Sequence, residues 1–460
     1  MKAIQQIANG EFEDWKIDAI KAEKCRQFDL EMESNEDKAM ILMNAFYNEQ
    51  DLGNILNYKD KIMAITTDDI KRVAKKYLSD NYLALYIEKG KPDKNAKIEK
   101  PGYKPVEPPI GKESLYATQF KNLPIGQMEE KFADYGEVQI KQLNDRSKMY
   151  YTPNKENNVF QLVVQYGAGE REFPKLGYAA QLMNNAGISE LTGDINRASN
   201  YEAKVFFTGT LPFDQVYDIL SKNLPLVANE RPSNSPQAKD MMPVTENTVY
   251  FLPNNDAEQA QIHLYIPMQK ADKKDDVLRS AFNQYFGLDF TGIVLNEIRE
   301  KRSMAYTAYA FVGTQGIAGK ASYLRGYIGT QNDKANDALD VLMGLVNDMP
   351  KNPERIDNIK SYLRQAMLTS HPSFRNKAME LVDLGYRGYT DDPAKENLPK
   401  VDALTFDDIV KFYEENIKDK PYCISIMGNP KNIDLKRLEK FGKVVKLNER
   451  KLFNTKDALF

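Results

Sequence analysis

The sequence predicts an α+β fold: tandem, mostly antiparallel sheets with helices packed on one face, and an incomplete first repeat. Three observations predict it. The chain repeats itself at one fixed offset; its second part runs strand, helix, two strands, several helices and a strand; and a Pro/Lys/Glu-rich stretch separates the copies.

The repeat is read first. "SNEDKAMILMNAFY" (34–47) and "SFRNKAMELVDLGY" (373–386) share Ser34/Ser373, Lys38/Lys377, Ala39/Ala378, Met40/Met379, Leu42/Leu381 and Tyr47/Tyr386 at an offset of 339. The same offset carries Ile20-Lys21 onto Ile359-Lys360, and "AITTDDI" (64–70) onto "ALTFDDI" (403–409). After one residue of slippage, Gly90-Lys91-Pro92 meets Gly428-Asn429-Pro430. In each copy a threonine, Thr66 or Thr405, is placed to N-cap a helix whose first turn carries two aspartates, which the helix dipole favours. A short strand then follows, "YLALYIEKG" or "YCISIMG". The second copy extends far upstream of Ile359, so the sequence reads as the tail of one unit followed by a complete second one.

Between them, "KGKPDKNAKIEKPGYKPVEPPIGKE" (89–113) has the composition of an extended connector. The expected domains are 1–100, a linker at 101–128, a first α+β domain at 129–235 and a second at 236–460. In the first, "EVQIKQL", "SKMYYTP", "NVFQLVVQYGAG" and "EAKVFFTGTL" read as strands, and "FPKLGYAAQLMNNAG" and "FDQVYDILSKNLPLVAN" as helices. In the second, "TVYFLP" and "AQIHLYIPM" are strands and 276–302 one long helix. Two strands flank "GTQGIAGKAS"; helices follow near 333–348, 354–369, 374–388 and 405–417, and a strand at 421–427. Because strands lie on both sides of "GTQGIAG", it reads as a hairpin link rather than a phosphate loop, which would open a helix.

Composition narrows the function. A length of 460 residues predicts roughly two to four domains. A net charge of −3 argues against a nucleic-acid partner. No apolar run approaches the roughly 18 residues of a membrane span. "MKAIQQIANGEFEDW" carries no apolar signal-peptide core. Cys25 and Cys423 form no zinc or disulfide pattern. The only histidines, His263 in a strand and His371 at a helix end, do not make a zinc site, so no cofactor is expected on this chain.

One stretch stands apart. "LNEIREKRSMAYTAYAFVG" (295–313) is a charged helix running into a strand of small residues and tyrosines, with Arg299 and Tyr306 seven positions apart. Taken alone, Arg299, Lys301 and Arg302 suit a helix C-terminus, and Tyr306 suits a sheet. With the repeat and the α+β units, the stretch resembles the pitrilysin/insulinase family of zinc metallopeptidases, the inverzincins. The resemblance covers nearly the whole chain and is strongest at 248–330.

That resemblance implies two homologous clamshell halves around a peptide chamber, each built of two α+β domains, with an H-x-x-E-H zinc helix on the first half. Residues 1–100 would then be the end of the zinc-bearing half. In this chain the motif window, found through "YGAGEREFPKLGYAAQLMNNAG", falls on 180–184: Ala180, Met183 and Asn184 stand where two histidines and the glutamate are needed. The chain thus resembles the C-terminal, non-zinc half, inactive by itself. Zinc is expected on the missing or partner half, and the implied partners are that half and peptide substrates. The resemblance further implies that Arg299 and Tyr306 reach across the chamber to the substrate, while Tyr309 packs on the opposite strand face. A catalytically silent structural or peptide-binding subunit of the same fold is the alternative. Compartment stays open; a periplasmic or envelope setting follows if a signal peptide stands upstream.

Overall fold

The computed structural model describes residues 2–78, 81–87, 90, 114–124, 126, 128–167, 202–224, 238–287 and 291–448. The chain divides into two compact units, Met1–Glu129 and Glu130–Phe460.

The described elements of the first unit are all helices: α1 (Lys2–Asn9), α2 (Asp14–Glu31), α3 (Asn35–Tyr47), α4 (Leu52–Leu56), α5 (Tyr58–Ala64), α6 (Thr67–Tyr77) and α7 (Leu115–Lys121). Local chemistry sets these boundaries. Ser34 caps α3 by accepting from the Asp37 amide, and Thr66 and Asp69 form a reciprocal capping box at α6. Three hydrogen bonds, from the Thr66 hydroxyl and amide and from Arg72, hold the Asp69 carboxyl down at about 2. The strand expected over 82–90 is not formed: residues 81–87 are irregular, with Leu83, Leu85 and Ile87 exposed. An alternating segment becomes a strand only where a neighbour supplies its hydrogen bonds, and among the described residues none does.

The second unit holds two mixed sheets. The smaller has β1 (Gln139–Asn144), β2 (Ser147–Pro153), β3 (Gln161–Tyr166) and β4 (Ala203–Gly209) in the order β1-β2-β4-β3, with β2 and β4 parallel and the other pairs antiparallel. Met149, Tyr151, Val205 and Phe207 pack on Val216 and Leu220 of α8 (Phe213–Asn223). Tyr150 and Phe206, on the opposite face, meet Ala378 from far along the chain.

The larger sheet gathers β5 (Thr248–Pro253), β6 (Gln259–Lys270), β7 (Ala305–Thr314), β8 (Ala321–Gln331), β9 (Cys423–Gly428) and β10 (Lys443–Lys446) in the order β10-β5-β9-β6-β8-β7. β9 is central: Ile424 lies level with Val249 on parallel β5 and with Leu264 on antiparallel β6. Alternate residues (Ile262, Leu264 and Ile266; Leu324 and Ile328; Ile424 and Ile426) face one way into the main core. They meet α9 (Asp276–Phe286), then, after α10 (Ile293–Leu295), α11 (Ala335–Asn347), α12 (Ile356–Thr369) and, past α13 (Lys377–Tyr386) and α14 (Pro393–Ala403), α15 (Phe406–Asn416). α16 (Leu435–Leu438) closes the series. Gly316 and Gly319, at φ 70° and 77°, turn the β7–β8 link, as expected of a hairpin.

Elements of the second unit also differ from expectation. The long helix expected over 276–302 is not one element: α9 ends at Phe286, Gly287 is a turn, and α10 spans Ile293–Leu295. Gly287 stands at the end of α9, where a Cβ would lie 2.9 Å from the Val294 Cβ and 3.1 Å from the Ala310 carbonyl, so a side chain does not fit there. α14 was not among the expected helices, and it carries two prolines, Pro393 and Pro399. Pro393 occupies the first helical turn, where no amide is needed, and Asp392 caps it by accepting from the Ala394 amide.

Repeat equivalence carries into three dimensions. α6 and α15 occupy 67–77 and 406–416, both with a Thr–Asp capping box. The Lys21 ammonium donates to the Met63 carbonyl at 3.2 Å, and the Lys360 ammonium to the Asp402 carbonyl at 2.6 Å. Both donor and acceptor pairs are related by the offset of 339.

Candidate functional site

Arg299 and Tyr306 sit where the helix after Gly292 becomes β7. The helix opens α-helical as α10, with Val294 buried, and then widens into a π turn, Asn296–Glu300. The Lys301 amide accordingly reaches back five residues to the Asn296 carbonyl at 2.9 Å. A π turn inserts an extra residue, keeping Ile298 in the core while turning its neighbour Arg299 outward.

Ser303 reverses the chain at φ 50°, a conformation side chains rarely take. Its amide donates to the Arg299 carbonyl at 2.9 Å, and the Met304 amide to the Ile298 carbonyl at 3.0 Å. On the far side, the Thr330 hydroxyl donates to the Met304 carbonyl and the Lys334 ammonium to the Ser303 carbonyl. Lys301 and Arg302 both bond Glu297, and those hydrogen bonds hold its carboxyl below the ordinary value. The turn is thus fixed at both ends.

β7 adds the second device. Ala308, Ala310 and Val312 face the core, and by regular alternation Tyr306 would join them. A bulge between Ala305 and Thr307 interrupts the register with β8 and breaks that alternation. Tyr306 is 79% exposed. The Arg299 guanidinium carbon lies 4.8 Å from the centre of the Tyr306 ring, and Arg299 Nε is 3.3 Å from the Glu300 carboxylate. A permanent cation and a phenol therefore share one exposed corner above a packed core. Tyr309 is different: half-buried, its ring lies 5.4 Å from Tyr327 and 5.9 Å from Phe311.

The remaining predicted positions are quickly placed. Ala180, Met183 and Asn184 lie outside the described residues. His263 packs its ring 5.0 Å from Tyr327, and burial, with a smaller contribution from Arg325, pushes its pKa down. His371 follows α12, its amide bonded to the Thr369 carbonyl. Among the described residues no three His, Cys, Asp or Glu stand together as a metal-holding group, and none of their helices is long and apolar enough to cross a membrane. Sequence reasoning missed the π turn and the bulge. The one available signal was Tyr306 itself, a large polar ring in phase with the core residues Ala308, Ala310 and Val312.

Comparison with known proteins gives a family match over part of the chain. Residues 199–363, which include the Arg299–Tyr306 corner, match the family described as "Peptidase M16 inactive domain". Over those residues the chain is similar to a peptidase M16 inactive domain. No curated protein sequence matches it. Solved structures similar to this chain include a peptidase M16 inactive domain from Pseudomonas fluorescens, at 12% identity and a TM-score of 0.47, covering 65% of this chain and 99% of that one. A protease from Helicobacter pylori is similar at 16% identity and a TM-score of 0.39, covering 50% of this chain and 55% of that one. The periplasmic protease PqqL from Escherichia coli is similar at 10% identity and a TM-score of 0.46, covering 93% of this chain and 63% of that one. The chain thus spans about half to two thirds of the two proteases.

Proposed function

We propose that this chain is the non-zinc half of a pitrilysin-like zinc metallopeptidase, closing the peptide chamber and presenting Arg299 and Tyr306 to the substrate carbonyl at the other half's zinc site. The observation that carries the reading is the exposed phenol held against a guanidinium on a doubly anchored corner. Attack on a peptide carbonyl develops negative charge on its oxygen, and preorganised donors aimed there lower the barrier. Arg299 supplies a fixed charge with several N–H donors, and Tyr306 a neutral O–H donor. No step of hydrolysis is assigned to a metal on this chain, because the sequence at Ala180, Met183 and Asn184 offers neither the histidines nor the glutamate of the zinc motif.

The test uses the chain combined with a zinc-bearing M16 half and a peptide substrate. Arg299→Lys keeps the charge and loses the fork; Tyr306→Phe keeps the ring and loses the hydroxyl. Each is expected to lower kcat/KM by about 10²–10³, the usual effect of removing one such donor, with Tm unchanged. Wild-type kinetics in both variants would remove the role. A second reading, a silent peptide-binding subunit, draws support from the stacking of Arg299 on Tyr306 and its pairing with Glu300, which satisfy the pair internally. In that case the combined halves bind peptide without cleaving it.

A further inference from the structure

Away from the Arg299–Tyr306 corner, the smaller sheet sets two cations side by side. β2 and β4 run parallel with Lys148 level with Lys204, and β1 brings Gln142 level with Lys148. By strand alternation these side chains leave the face on which Tyr150 and Phe206 meet Ala378. Neighbouring strands lie about 4.8 Å apart, and like charges rooted that close repel. The sheet relieves only one of them. The Lys204 ammonium donates to the Glu202 carboxylate and to the Tyr386 phenol, each at 2.9 Å. Burial works against its charge, but those two bonds outweigh it and hold its pKa above the ordinary value. Lys148 is exposed, and among the described residues no carboxylate pairs with it.

A cleft of about 650 Å³ lies over this row, between the sheet and the C-terminal half of α13. Arg146, from the β1–β2 turn, is a third cation on its wall, set against the carboxylates of Asp145 and Glu202. Ile140, Leu381 and Val382 make part of the lining apolar. We infer that this cleft binds a carboxylate joined to an apolar body, the anion meeting Lys148, Lys204 and Arg146 and the body lying on Ile140, Leu381 and Val382. A bound carboxylate supplies the countercharge that Lys148 lacks, through the charge-assisted N–H···O bonds that are the strong ones. A polyanion fits worse, because Asp145 and Glu202 stand in the same wall and leave one positive charge in excess. Two sources carry the required chemistry, the C-terminal residue of a peptide and a free organic acid. The site shares no residue with the Arg299–Tyr306 corner, so the inference holds whether or not that corner serves hydrolysis.

The test needs no activity. The full chain is titrated by calorimetry with N-acetyl-alanyl-phenylalanine, with the C-terminal amide of the same dipeptide, and with hydrocinnamate, the free acid. At least one of the two acids is expected to bind, and the amide about tenfold more weakly or worse, since it offers no charge to the cations. Lys148→Gln, at an exposed position, is expected to weaken acid binding about tenfold, and Lys148→Arg to retain it. Tighter binding of the acid dipeptide than of hydrocinnamate assigns the cleft to a peptide C-terminus; equal or tighter binding of hydrocinnamate assigns it to free acids. Three results would overturn the inference: no binding of either acid, an amide that binds as tightly as the acids, or wild-type acid affinity in Lys148→Gln.

Discussion

Thr66–Asp69 and Thr405–Asp408 make the same capping box, and Lys21 and Lys360 the same bridge to a carbonyl, yet Ile424 is buried where its counterpart Leu85 is exposed. The two copies separate what a segment achieves alone from what it achieves only in company. A helix satisfies its own backbone and needs only caps at its ends. A strand satisfies its backbone through neighbours, so one apolar alternating pattern gives a central strand in one place and an irregular stretch in the other.

Mutation sharpens the contrast most at the strand. Ile424→Ala removes a fully buried side chain from the main core and is expected to cost about 2–5 kcal/mol in denaturant unfolding. Leu85→Ala is expected to change stability by under about 0.5 kcal/mol. Equal costs would mean that the first copy is also packed. The helix caps should show the opposite, equality. Thr66→Ala and Thr405→Ala are each expected to cost about 1 kcal/mol, read as faster amide exchange in 67–77 and 406–416 respectively.

Acid probes the same caps. The Asp69 carboxyl is held at about 2 and that of Asp408 below its ordinary value, in each case first by the threonine hydroxyl. A depressed carboxylate contributes stability above its unfolded value and loses it as the pH falls through the folded one. Protection of 67–77 should therefore decline between about pH 4 and about pH 2, and Thr66→Ala should move that decline to higher pH. A decline at the same pH in the variant would remove the hydroxyl as its cause. The smallest effects are expected at the lysine bridges, where Lys21→Ala and Lys360→Ala should each change stability by no more than about 0.5 kcal/mol.

Much of this was legible in the sequence because it is local or repeated. The strands from "SKMYYTP" to "YCISIMG" follow alternation, and the capping boxes follow from Thr-x-x-Asp. Arg299 and Tyr306 were marked as a pair by the family resemblance, and the structure brings them to 4.8 Å. What was not legible depends on contacts remote in sequence. Gly287, just past α9, has no room for a side chain because Val294 and Ala310 crowd it. The turn at Ser303 is held from Thr330 and Lys334. The β7 bulge is a property of its pairing with β8. Residues 82–87 carry a strand pattern whose neighbours are not among the described residues, and no local rule reveals that.

The central claim, that this is the non-zinc half of an M16 peptidase, is tested most directly by assaying the isolated chain for bound zinc and for peptide hydrolysis, before and after a zinc-bearing M16 half is added. The account predicts no zinc-dependent cleavage by the chain alone and cleavage on recombination. Robust zinc-dependent hydrolysis by the isolated 460 residues would contradict it.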